Sequence, residues 1–169
     1  MGLDITVYTN LKKVEGGEGI DQRYPEDREP LDGYAKFYVN PDFPGRADEI
    51  EDRAIYAADE EDSFRAGSYV GYNNWREKLA RIAGYTPEEC WNNPNKCKDL
   101  PFYELVNFSD CEGTLGTAVC KELAKDFEEF QDAATSFKDY ESGYFHSLYI
   151  KWRSTFEVAA ENNGAVAFH

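Results

Sequence analysis

Two arginines, two glycines, two tyrosines and three polar hydrogen-bonding residues crowd into the thirteen positions Phe64-Arg-Ala-Gly-Ser-Tyr-Val-Gly-Tyr-Asn-Asn-Trp-Arg76. A segment built only to be buried would not be written this way. Arg65 and Arg76 offer forked donors that suit phosphate or carboxylate. Tyr69 and Tyr72 offer flat faces, Ser68 and Asn73 add hydrogen-bonding groups, and Gly67 and Gly71 allow close backbone approach. Trp75 fits a core stripe better than a stacking platform.

A second polar segment, Asn107-Phe-Ser-Asp-Cys-Glu-Gly-Thr-Leu-Gly116, has similar character. Asn107, Ser109, Asp110 and Glu112 suit hydroxyl or amino groups, and Gly113 with Gly116 lets the chain turn into a following helix. The N-terminus of such a helix attracts anions. Asp110 and Glu112 would repel a phosphate there, so ribose hydroxyls or base amines suit them better; the alternative is that they cap the helix and complement its dipole. The two segments are expected to converge on one pocket, with Arg65 and the loop near Asp110 facing a common concavity.

Catalysis has weaker support. Asp110 and Glu112 could form an acid–base pair for hydrolysis, but nothing else in the sequence separates their protonation behaviour into acid and base. Cys111 before a helix could be an activated thiol, with His146 as a partner distant in sequence. No Walker A loop, dinucleotide fingerprint or zinc-protease motif is present. Cys90, Cys97, Cys111 and Cys120 make neither a paired CxxC pattern nor a cysteine–histidine array, so no metal is expected. The expectation is a protein without catalytic residues and without a cofactor. A link between Cys90 and Cys97 is geometrically conceivable, but reduced thiols are expected.

The elements that would carry these segments follow from periodicity. Leu3-Asp-Ile-Thr-Val-Tyr8 alternates at period two and predicts a half-buried strand. Residues 15–33, rich in Gly, Pro and charge, read as an exposed excursion before a second strand at Tyr34-Ala-Lys-Phe-Tyr-Val39, and the two strands suggest a hairpin with an extended connection. Asn40-Pro-Asp-Phe-Pro-Gly-Arg46 is turn chemistry, with Arg46 either solvated or aimed at the site. Ala54-Ile-Tyr-Ala57 suggests a short strand, and Asp59-Glu-Glu-Asp62 a solvated turn. Asn74 and Glu77 resemble a capping pair for a helix that ends at Gly84. A long helix from near Thr117 would carry Val119, Leu123, Phe127, Phe130, Ala134 and Phe137 on one stripe. Another, over 144–160, presents Phe145, Leu148, Trp152, Phe156 and Ala159, and Ala165-Val-Ala-Phe168 follows as a strand. The sum is an α+β fold: one domain over residues 1–169, a mainly antiparallel sheet, and two or three helices on one face.

With 33 acidic and 18 basic residues the net charge is −15, which disfavours direct nucleic-acid binding. Residues 1–62 hold 17 acidic and 7 basic residues, a net −10. An acidic surface of this kind either keeps the protein soluble or imitates nucleic acid in a partner's basic groove. No run approaches a membrane-spanning length, and the start shows no secretory pattern, so a cytoplasmic location with no membrane partner is expected.

Gly2-Leu-Asp-Ile, Asn40-Pro-Asp-Phe-Pro-Gly-Arg46, Phe64-Arg-Ala-Gly-Ser-Tyr with Gly71-Tyr-Asn, and Asn107-Phe-Ser-Asp-Cys-Glu-Gly113 together resemble small proteins of tailed phages and their bacterial hosts. The resemblance covers most of the chain. It implies a setting, the cytoplasm of an infected or lysogenic bacterium, and brings no activity with it. Accessory proteins of that setting include sponges for nucleotide immune signals and blockers of host defence proteins. The expected function is therefore noncatalytic, anti-defence sequestration of a small phosphate-bearing nucleotide, with Arg65 or Arg76 on phosphate, Tyr69 or Tyr72 against a ring, and Asp110 or Glu112 on hydroxyls. The alternatives are an acidic inhibitor or nucleic-acid mimic that blocks a host defence protein, and a small hydrolase using Asp110 and Glu112. Self-association into a homo-oligomer, with pocket walls from two subunits, stays open.

Overall fold

Strand β1 (Gly2–Lys13) organises the molecule, whose computed structural model describes residues 1–138 and 143–169. Leu3, Ile5 and Val7 alternate into the core, as the period-two pattern requires. Around β1 lie β2 (Tyr34–Lys36), β3 (Ile55–Ser68), β4 (Gly113–Leu115) and β5 (Ala165–Phe168), in the spatial order β2-β3-β1-β5-β4. Every pairing is antiparallel.

The helices are α1 (Tyr69–Ile82), α2 (Pro87–Asn92), α3 (Pro94–Cys97), α4 (Tyr103–Val106), α5 (Thr117–Glu129), α6 (Gln131–Ser136) and α7 (Tyr144–Glu161). The three long ones, α1, α5 and α7, bury their apolar stripes against Leu3, Ile5, Val7, Val166 and Phe168 on one face of the sheet. This is the expected α+β arrangement. The other face is covered by the segment 37–54, whose Phe37, Ala47, Ile50 and Ala54 pack with Tyr56, Ala58 and Ala165 in a smaller second core.

Several local expectations change. The acidic run Asp59–Asp62 is not a turn but the middle of the fourteen-residue β3. Low strand propensity of carboxylate residues is overridden because β1 continues to Lys13 and supplies cross-strand partners: Thr9 donates to Glu61 at 2.8 Å and Asn10 to Asp59 at 2.8 Å. Consequently β3, not β2, lies beside β1, and the expected hairpin between the first two strands does not form. Helix α1 begins at Tyr69, well before Asn74, because Ser68 caps it by accepting the Gly71 amide at 3.0 Å. The expected long helix near Thr117 is two, α5 and α6, separated at Phe130. The excursion 15–33 is exposed apart from an anchor at Gly19 and Ile20.

The short α4 leads directly into the second polar segment, and its entry is held by Asp126 of α5, whose carboxylate accepts the Phe102 amide at 2.9 Å. Burial raises the Asp126 carboxyl to about 6, with Glu104, Glu129 and Glu122 adding to the rise; Glu104 is shifted the same way, also mainly by burial. A folded-state value above the unfolded one means that the native protein holds its proton more tightly. The stabilising contribution is therefore complete in acid and is lost as pH rises through about 6. For half-buried Asp126, solvent screening reduces this to about 1 kcal/mol. Asp126→Asn, which keeps an acceptor for Phe102, should flatten this part of the pH dependence; urea midpoints at pH 4.5 and 7 check it. An unchanged difference between the two pH values would remove Asp126 as its source.

Candidate functional site

The two polar segments meet, but with only part of the expected residue set. A cleft of about 600 Å³ is lined on one side by Asn73 and Arg76 of α1 and on another by Asn107, Ser109, Asp110 and Glu112; Asn40, Asp42 and Phe43, together with Trp91 of α2, complete its walls. Asn73 donates to Asp110 at 2.7 Å and ties the two segments directly.

Two arginines shape the loop. The Arg76 guanidinium, only 6% exposed, donates through Nη1 to the carbonyls of Phe108 at 2.6 Å and of Leu105 and Val106 at 3.3 Å; through Nη2 it donates to Asn73 Oδ1. It also lies 4.7 Å from the Tyr72 ring centre. From the other side, Arg46 donates to the carbonyls of Glu104 at 3.2 Å and Asn107 at 3.0 Å, with its guanidinium 5.1 Å from the Tyr103 ring centre. Five successive carbonyls, 104 to 108, thus end on two guanidinium groups. Positive charge suits this place, since a helix C-terminus presents unpaired carbonyls and a partial negative charge. Arg46 is neither solvated nor aimed at a ligand. Its Pro-Gly turn was the only signal for this role.

Beyond the clamp, Ser109 Oγ accepts the amides of Cys111 at 3.2 Å and Glu112 at 3.1 Å, folding the loop tightly. Asn40 donates to the Glu112 carbonyl at 3.1 Å. Gly113 then leaves with φ +140°, where a β-carbon would lie 2.7 Å from the Phe108 ring, so only glycine fits the exit into β4. Because β4 intervenes, Asp110 and Glu112 do not cap α5. That role falls to Glu49, which accepts the Ala118 amide at 3.0 Å. With a carboxylate already seated there, the helix start is no anion site.

Arg65, Ser68, Tyr69 and Tyr72 are not cleft residues. Arg65 is ion-paired with Asp4 at 2.8 Å on β1, whose neighbour β5 separates it from β4. Three strand spacings, about 14 Å, therefore lie between Arg65 and the β4 edge beside the cleft. The common concavity expected for Arg65 and Asp110 does not form. Ser68 is the α1 cap. Tyr69 packs partly buried at the core margin. Tyr72 is fully buried, stacked against both Trp75 and Trp152, and burial raises its hydroxyl pKa. No face of its ring reaches a ligand. The reason is helical phase: in a helix starting at Tyr69, Tyr72, Trp75, Arg76 and Leu79 share the inward face.

Sequence reasoning missed Asp42, whose segment carried only a turn signal, and Trp91. Its indole is 59% exposed on the cleft rim, at the end of a helix started by the Thr86–Glu89 capping box and Pro87. An aromatic within the polar run Trp91-Asn-Asn-Pro-Asn-Lys96 was the available signal. Cys111 is exposed beside Ser109, whereas His146 bonds with Gln131 and Thr135 and is absent from the cleft. Cys90, Cys97 and Cys120 are buried free thiols; burial and the neighbouring Cys97 push Cys90 up to about 12. Among the described residues no group of three or more His, Cys, Asp or Glu is arranged to hold a metal, and no helix is long and apolar enough to cross a membrane.

Chemically, the cleft presents the carboxylates of Asp42, Asp110 and Glu112, the Asn107 amide and one exposed indole. Its single guanidinium already serves backbone oxygens. Such walls favour hydroxyl and amine donors and a planar ring, and disfavour anions. Comparison with known proteins finds no matching family model, no matching curated protein and no matching solved structure.

Proposed function

We propose that the protein is a noncatalytic, phage-type binding protein that sequesters the nucleoside portion of a small signal molecule in this cleft. The observation that carries the reading is the bonded meeting of α1 with the 107–112 loop in a cleft that the exposed Trp91 also lines. The ring role expected of Tyr69 or Tyr72 passes to Trp91. Asp110, Glu112 and Asn107 keep the hydroxyl and amine roles. Phosphate, expected on Arg65 or Arg76, instead extends out of the cleft into solvent, because Arg65 pairs with Asp4 and Arg76 with carbonyls.

Thermal unfolding with the four common ribonucleosides and their 5′-monophosphates tests this. A ligand present at a hundredfold excess over its Kd stabilises the native state by about 2.7 kcal/mol, which for a chain of this size raises Tm by roughly 5–10 °C. At least one nucleoside should do so, its monophosphate should do no better, and both should be recovered intact. Trp91→Ala should weaken binding about 5- to 150-fold, the range for a stacked base, and leave the unliganded Tm unchanged. Silence across the nucleosides, or a shift undiminished in the Trp91 variant, refutes the reading.

A second reading, an acidic protein that blocks a basic partner, is favoured by a separate observation. Asp59, Glu60, Glu61 and Asp62 are all exposed on β3, and among the described residues none forms an ion pair.

A further inference from the structure

The outer edge of β3 is unoccupied by other described strands over most of its length. Beyond β1, its only strand neighbour is β2, which pairs with Ile55, Tyr56 and Ala57; Gly33 then accepts the Ala58 amide. From Asp59 to Gly67 no other described strand lies alongside, leaving nine residues, or about 30 Å, of strand with one partner. The Ser63 amide donates not to a ladder carbonyl but to the adjacent Asp62 carboxylate, at 2.9 Å. That is a local bond which an incoming backbone carbonyl can replace.

We propose that this edge docks an extended, lysine- or arginine-rich segment of another protein by strand addition, with main-chain hydrogen bonds at Ser63 and carboxylates on both faces of the strand. The inference rests on the partner-blocking reading and names its partner chemistry. Charge selects the occupant. A second copy of the same edge would bring four carboxylates against four, which opposes edge-to-edge self-pairing. Nucleic acid is repelled for the same reason. The strand bulges at Glu61, so Asp59, Glu61 and Asp62 lie on the helix-covered face with Thr9 and Val7, and Glu60 lies on the other face opposite Tyr8. A basic strand places cations above and below the sheet within reach of both sets, while its backbone supplies the missing ladder.

The test uses a fluorescent peptide of alternating lysine and threonine, with a glutamate–threonine peptide as control. At about 50 mM salt the lysine peptide should bind, the control should not, and binding should weaken about tenfold or more at about 500 mM salt. On binding, hydrogen exchange at the Ser63 amide should slow at least about tenfold. Ser63→Pro removes an outward-facing donor that the sheet does not use, a position where an edge strand tolerates proline. It leaves every carboxylate in place and should abolish binding without changing Tm. Equal binding to that variant, or binding with no protection at Ser63, overturns edge docking and leaves an acidic blocker that works through diffuse charge. Absence of lysine-peptide binding at low salt overturns both. Should the proline variant fail to fold, protection at Ser63 in the natural protein decides the question alone.

Discussion

Arg76→Met should destabilise the protein by about 3–5 kcal/mol, the cost of removing one partner from a buried charged network. The guanidinium is nearly inaccessible and serves the carbonyls of Leu105, Val106 and Phe108 as well as Asn73. Methionine fills similar volume but leaves buried oxygens without donors, each costing about 1–3 kcal/mol. Some become rehydrated as the loop loosens, which holds the total below the simple sum. Arg76→Lys should recover no more than half the loss, since one ammonium cannot reproduce the planar fork. Urea unfolding gives the energies, and hydrogen exchange of 105–112 should show the loop opening first. A loss below about 1 kcal/mol for the methionine variant would mean that Arg76 does not hold the cleft wall.

Trp152→Ala should be comparably damaging, at about 3–5 kcal/mol, for a different reason. Its ring is at the hub of the main core, stacked 5.7 Å from Tyr72, 5.8 Å from Trp75 and 5.5 Å from Phe156, with Phe64 edge-on at 5.2 Å and Phe168 at 5.6 Å. Truncation opens a cavity between α1, α7 and the sheet that these rigid rings cannot collapse to fill. Trp152→Phe should cost under about 1.5 kcal/mol, because it keeps an aromatic ring and removes an indole N–H with no hydrogen-bond partner among the described residues. Urea unfolding and near-ultraviolet circular dichroism compare the pair. Similar losses in both variants would show that the hub depends on indole shape and not on aromatic filling.

The sequence made the ends of the fold legible and its middle less so. The α7 stripe and β5 follow from clear periodicities bounded by Asn162-Asn-Gly164, and β1 from strict alternation. The acidic half of β3 was hidden because carboxylates resemble a solvated turn until a partner strand is known. In the candidate site, Asn73, Arg76, Asn107, Ser109, Asp110 and Glu112 do share a cleft. The functional meaning of the arginines was not legible, because a guanidinium facing ligand and one facing helix-end carbonyls have the same sequence signature. Tyr72 faces the core because Ser68 caps α1 and starts the helix before Asn74, and a capping serine has the same sequence signature as a ligand-binding one. Arg65 is near Arg76 along the chain, but a strand carries it away from the helix that follows.

The flanking of β1 by β3 and β5 has a kinetic consequence. Ile5 pairs with Phe64 on one side and with Phe168 on the other, and the Thr6 and His169 side chains meet at 2.9 Å across 163 positions of sequence. Contacts so remote close late, placing refolding toward the slow, millisecond-to-second regime of nonlocal topologies. On a ribosome, the β1–β3 ribbon must wait with its other flank bare until α7 and β5 emerge. During that interval the nascent protein exposes a template for aggregation, and chaperone demand should be greatest then.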